Sequence, residues 1–102
     1  MNEIYAFGKI AESIEILALD QRSVRYRLFS AAEKLLAVHP DMLPGEFRKE
    51  FLRIRSYLTF YDAPDGMDVL VYNRRRRRES SAQGIAKRLW ALYSKMQSKV
   101  DH

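Results

Sequence analysis

The sequence predicts an all-α fold, a small globular bundle of four helices, or five if a short apolar segment near residue 70 is also helical. Three observations predict it. Apolar residues recur at the helical period in four separate segments. The connectors between those segments are short and carry proline, glycine or capping residues. The apolar stripes are broad rather than strict heptads, which fits a globular bundle better than a coiled coil. With 102 residues, 47% apolar and 30% charged, the chain has the composition of a folded protein and the length for one modest core. Residues 1–102 are therefore expected to form a single helical domain, with 62–79 as a connector.

The first segment places Ile4, Phe7, Ile10, Ile14, Leu17 and Ala18 on one face, with Glu12 and Glu15 elsewhere, and predicts a helix from about Asn2 to Leu19. The second holds Val24, Leu28, Ala31, Ala32 and Leu35 at the same period, with Ser23 placed to cap its start. It must stop near Val38, because Pro40 disfavours the helical conformation at His39. "HPDMLPGEF" is a connector in which Asp41, Pro44 and Glu46 have helix-start chemistry. Phe47, Phe51, Ile54 and Leu58 then form the stripe of a third helix. Glu46 with Lys49, and Glu50 with Arg53, are spaced to pair on its exposed side.

"DAPDG" at 62–66 is a turn. The favoured reading makes "YLTFY" before it the end of the third helix and "MDVLVY" after it a short helix or extended piece. A β-hairpin across residues 57–72 is the alternative, ranked lower because an isolated hairpin is marginal in water. Ser80 and Gln83 match a capping box for the last helix. Ile85, Leu89, Leu92, Met96 and Val100 follow on one face, and Trp90 and Tyr93 widen it.

Several function classes find no support in these residues. There are no cysteines, so there are no disulfides, thiolate nucleophiles or sulfur-ligated zinc. The N-terminal stretch has glutamates where a secretion signal needs basic residues, and no apolar run exceeds the five residues Leu89–Tyr93. A soluble, cytoplasmic protein without membrane contact is expected. His39 lies in a connector, where a histidine at a helix end is commoner than a base or metal ligand. Asp62, Asp65 and Asp68 lack EF-hand spacing, since Asn73 stands where the glutamate belongs, and they read as turn residues. The carboxylate pairs Glu12/Glu15 and Glu46/Glu50 fall on exposed faces, where a raised pKa is not expected. The four glycines are isolated, and no phosphate loop or nucleophile elbow is present. A protein without catalysis, cofactor, metal or small-molecule substrate is expected.

One feature carries the functional reading. Arg74, Arg75, Arg76, Arg77 and Arg78 form an unbroken run, and without them the formal charge of +5 falls to zero. Continued backwards from Ile85, the apolar stripe of the last helix would carry arginines into the core, where an unpaired charge costs several kcal/mol. The run is therefore expected to be exposed, either outside the packed helix or on its projecting first turns. Extended, it would span roughly 17 Å, enough to touch several phosphates of one nucleic-acid strand. The guanidinium fork suits phosphate oxygens. Lys87 and Arg88 are expected to add to this surface, with Arg22 and Arg25 if they fall on the same side. Two other readings stand beside it: docking of the run on protein carboxylates, including those of residues 1–20 or of Asp62, Asp65 and Asp68, and plain solvation.

Tyr57, Phe60, Tyr61 and Tyr72 adjoin the run and could stack bases. Phe60 is expected in the core instead. Arg22, Arg25, Tyr26 and Phe29 are a second candidate surface, for a protein partner, provided the aromatics are exposed. The leading expectation is phosphate-dominated nucleic-acid association. The alternative is a homodimeric interaction module in which the acidic first helix of one subunit meets basic surface of another.

Overall fold

The structure is a computed structural model that describes residues 3–100. The expected helical start at Asn2, the side chain of Val100 and the terminal His102 lie outside the described residues. Five α-helices form: α1 (Glu3–Leu19), α2 (Val24–Leu36), α3 (Gly45–Thr59), α4 (Val69–Arg76) and α5 (Glu79–Val100), with a 3-10 turn at Pro40–Met42. The all-α bundle follows from the period of the apolar residues. Among the described residues there is no strand, and 57–72 holds the end of α3, a turn and the start of α4 instead of a hairpin. Asp68 decides the matter locally. Its Oδ1 accepts the amides of Leu70 and Val71 at 2.9 and 3.0 Å and so starts α4. Gly66 supplies the positive φ of 83° that the preceding turn needs. The segment 62–79, expected as a connector, thus contains a helix of its own.

The core is one cluster drawn mainly from four helices. It includes Ile10 and Ile14 of α1, Leu28 and Leu35 of α2, Phe51, Ile54 and Leu58 of α3, and Leu89, Leu92 and Met96 of α5. Helix α5 packs on α1, α2 and α3, and the short α4 closes one end against α2 and α3. Helices α1 and α5 run antiparallel: Phe7 stacks on Tyr93 at 5.5 Å near one end, while Leu17 and Gln83 border a common groove near the other. The radius of gyration, 13.4 Å, is that of a single globular body of this length.

Several sequence expectations shift by a residue or a face. Ser23 does cap α2, accepting the Tyr26 amide at 3.4 Å. The Ser80 capping box does not form, because α5 begins at Glu79 and the Arg78 carbonyl accepts its first helical bond, from Ala82. On α1, Ile4 and Ala18 are exposed, while Ser13 is buried with its hydroxyl donated to the Ile10 carbonyl at 2.6 Å. Glu50 pairs with Arg53 as spaced, but Glu46 pairs with Lys99 of α5, which the fold brings across to it. Phe60 is 67% exposed and not in the core. α3 ends at Thr59, so Phe60 follows the last helical position, beyond the face that packs.

Candidate nucleic-acid interface

The arginine run crosses the corner between α4 and α5, and a buried amide sets that corner. Asn73 is fully buried. Its Oδ1 accepts the Tyr61 amide at 2.9 Å, and its Nδ2 donates to the carbonyls of Tyr61 and Val69 at 2.9 and 2.8 Å. One side chain thus provides partners for three backbone groups, the amide and carbonyl of Tyr61 and the carbonyl of Val69, and α4 is tied to the chain leaving α3.

Arg74, Arg75 and Arg76 form the last turn of α4, where cations face the negative end of the helix dipole. At Arg77 the backbone becomes extended, with φ −102° and ψ 147°, and two residues later α5 begins. Glu79 fixes the joint from the far side. Its two carboxylate oxygens accept the first amides of α2, from Val24 and Arg25, at 3.0 and 3.1 Å. Arg25 returns the contact, donating its Nη1 to the Arg77 carbonyl at 3.0 Å.

The five arginines consequently have different surroundings. Arg77 is half-buried. Its Nη2 donates to the Tyr57 carbonyl at 2.9 Å, and its guanidinium lies 4.0 Å from the Tyr57 ring centre and 5.0 Å from that of Tyr61. Arg74, also half-buried, lies 4.3 Å from the Tyr26 ring centre. Arg76 is exposed and sits 4.2 Å from Tyr72, one turn back on the same helix. Arg75 and Arg78 are exposed. Among the described residues, none of the five forms an ion pair. The nearest acids in sequence are used otherwise: Asp68 and Glu79 each cap a helix. The expected extended ribbon is corrected, because three of its residues are helical and rise only about 1.5 Å each.

The other predicted residues do not gather around the run. Arg88 donates to Glu50 at 3.2 Å, which turns it toward α3. Lys87 borders the groove between α1, α2 and α5. Both lie roughly 13–15 Å along α5 from Arg78. Arg22 is held by Asp20, with Nε at 3.1 Å and Nη2 at 2.5 Å from its carboxylate, and Ser30 accepts a further bond at 2.7 Å. The hydrogen bonds from the Arg22 side chain and amide hold the Asp20 carboxyl at about 2, well below its ordinary value, and Asp20 raises the Arg22 guanidinium in return. Arg22 and Arg25 lie 5.5 and 5.8 Å from the Tyr26 ring centre, so three guanidinium groups surround that half-buried tyrosine. Phe29 is only 5% exposed and belongs to the core, which removes it from the proposed protein-facing surface. It shares the buried face of α2 with Leu28 and Ala32. His39 caps the 3-10 turn, its Nδ1 accepting the Asp41 amide at 3.2 Å.

Comparison with family models, with curated proteins and with solved structures finds no match. Among the described residues no helix is long and apolar enough to cross a membrane.

Sequence reasoning singled out neither Asn73 nor Glu79. Asn73 carries no local signal, since its partners are twelve residues back and four residues back. Glu79 had one, an acid at a helix start, but the helix it caps by hydrogen bonding lies more than fifty residues away in sequence.

Proposed function

We propose that this chain is a non-enzymatic helical binding protein that associates with the phosphate backbone of nucleic acid through Arg75, Arg76 and Arg78, with Arg77 as the structural member of the run. The observation that carries the reading is that five consecutive guanidinium groups have no carboxylate partner among the described residues and that three of them, on Arg75, Arg76 and Arg78, are exposed; Arg25, Arg27 and Arg48 also lack a carboxylate, but they donate to backbone carbonyls. Internal neutralisation, which would have left the run inert, has no support in the ion pairs present. Arg76 is also held against an aromatic ring, so less rotamer freedom is lost when it takes up a phosphate. Binding of this kind reads charge and not sequence.

The test is a titration of single- and double-stranded oligonucleotides over a range of salt concentrations. Three phosphate contacts give a log–log slope of about −2.7 on duplex and about −2.1 on single strands. Replacing Arg75, Arg76 and Arg78 together with serine should abolish most of that slope while the helical content stays unchanged. Wild-type affinity in the triple variant would reject the assignment.

A further inference from the structure

A second feature stands apart from the arginine corner and does not rest on it. Between α1, the start of α2 and α5 runs an apolar groove of about 410 Å³, walled by Ile14, Leu17, Val24 and Ala86. That volume is in the range of small-molecule sites, which combine apolar walls with a few polar groups. Trp90, the chain's only tryptophan, borders the groove and is 56% exposed.

The charges on the groove select its ligand. Among the described residues its charged lining is basic only, Arg27 from α2 and Lys87 from α5. The carboxylates of Glu12 and Glu15 on α1 do not border it, and Asp20, just beyond α1, is occupied by Arg22. Neither Arg27 nor Lys87 forms an ion pair among the described residues. Arg27 is half-buried, and its Nη1 donates to the Leu17 carbonyl at 2.9 Å, while its Nη2 has no hydrogen-bond partner. A partly buried cation in an apolar setting is stabilised by an anion brought against it. Lys87 is exposed and open to the same anion.

The cations and the tryptophan are also ordered along the groove. The bond to Leu17 fixes Arg27 at the end bordered by Leu17 and Gln83. On α5, Lys87 lies one turn beyond Gln83 and Trp90 two turns, roughly 10 Å along the helix. A ligand with an acid at one end and a hydrocarbon body matches this order. Both cations lie on the Gln83 side of Trp90, which suits one head group better than the spaced acids of a peptide helix. We infer that this groove binds an anionic amphiphile, a carboxylic acid with an alkyl tail, whose carboxylate is held by Arg27 and Lys87 and whose tail lies against Ile14, Ala86 and Trp90.

The experiment uses the whole chain, with Trp90 as the reporter. Decanoate, titrated below the concentration at which it aggregates, should change the Trp90 emission saturably, and calorimetry should count one ligand per chain. Decyltrimethylammonium has the same tail and the opposite charge, and should bind at least about tenfold more weakly. Lys87→Glu, an exposed substitution whose folding far-ultraviolet circular dichroism checks, should weaken decanoate roughly five- to tenfold and narrow that preference. Arg27→Gln keeps a donor for the Leu17 carbonyl and should weaken decanoate by a similar factor. Equal binding of the two ligands, Trp90 emission that decanoate leaves unchanged, or wild-type decanoate affinity in Lys87→Glu overturns the inference. So does a Trp90 response to an acidic amphipathic peptide but not to decanoate, which would give the groove to a protein partner.

Discussion

Within the arginine run, Arg77 and Arg75 should respond very unequally to the same substitution. Arg77→Ala removes a charged hydrogen bond to the Tyr57 carbonyl at 2.9 Å and a guanidinium 4.0 Å from the Tyr57 ring centre. A hydrogen bond from a charged donor contributes about 1.5–3 kcal/mol, and a partly desolvated cation–π contact about 1 kcal/mol. The two share one side chain and are not additive, so a loss of roughly 3 kcal/mol is expected. For a domain of this size that lowers Tm by roughly 10–20 °C. Arg75→Ala, on exposed helix surface, should change stability by no more than about 0.5 kcal/mol. Urea unfolding followed by circular dichroism measures both. Arg77→Lys keeps the charge but not the planar fork, and should fall between them. If Arg77→Ala unfolds at the same urea concentration as Arg75→Ala, the division of the run into structural and exposed members is wrong.

Two further outcomes follow from single side chains. Asn73→Ala strips partners from the amide and carbonyl of Tyr61, and should cost about 2–4 kcal/mol in the same assay. A loss below about 0.5 kcal/mol would mean that the corner does not depend on this amide. The Asp20 carboxyl, held at about 2 against an ordinary 3.8, stabilises the fold above pH 3.8 and loses that contribution as the pH falls toward 2. Carboxyl NMR should place its midpoint near 2, and Arg22→Gln should return it toward 3.8. A wild-type midpoint already at 3.8 would remove the pair.

The bundle was legible because its signal is local and repeated. Phe51, Ile54 and Leu58, or Leu89, Leu92 and Met96, each declare a face through spacing alone, and all are buried. Boundaries set by local caps were legible too, as at Ser23. What sequence could not supply was any contact between residues far apart along the chain. Glu79 reads as an acid at the start of α5, and nothing near it shows that its carboxylate reaches the amides of α2. Phe60 has the composition of a core residue, and only the end of α3 one residue earlier puts it outside. Phe29 sits beside arginines and tyrosines, but it occupies the buried face of α2. For the candidate site, sequence identified the run and its exposure in part. It could not sort the five members, because that depends on where Tyr26 and Tyr57 are brought by other helices.

That sorting has a geometric cause. Successive helical residues turn about 100° apart, so Arg74, Arg75 and Arg76 cannot share a face, and the break at Arg77 sends the last two in yet other directions. Five identical charges therefore meet different neighbours: Arg74 and Arg77 are half-buried against Tyr26 and Tyr57, while Arg76 stays exposed beside Tyr72. If Tyr26 holds Arg74 out of the binding set, Tyr26→Leu should release it. The apolar volume on α2 is largely kept, while the ring 4.3 Å from the Arg74 guanidinium is lost. One additional free cation should steepen the salt dependence on duplex by about 0.9 in the log–log slope, even though stability falls by about 1 kcal/mol with the cation–π contact. Loss of an aromatic would then increase the number of phosphates engaged. A reading in which Tyr26 itself stacks on bases requires the reverse, weaker binding with an unchanged slope, and that result would return Tyr26 to the interface and Arg74 to its support.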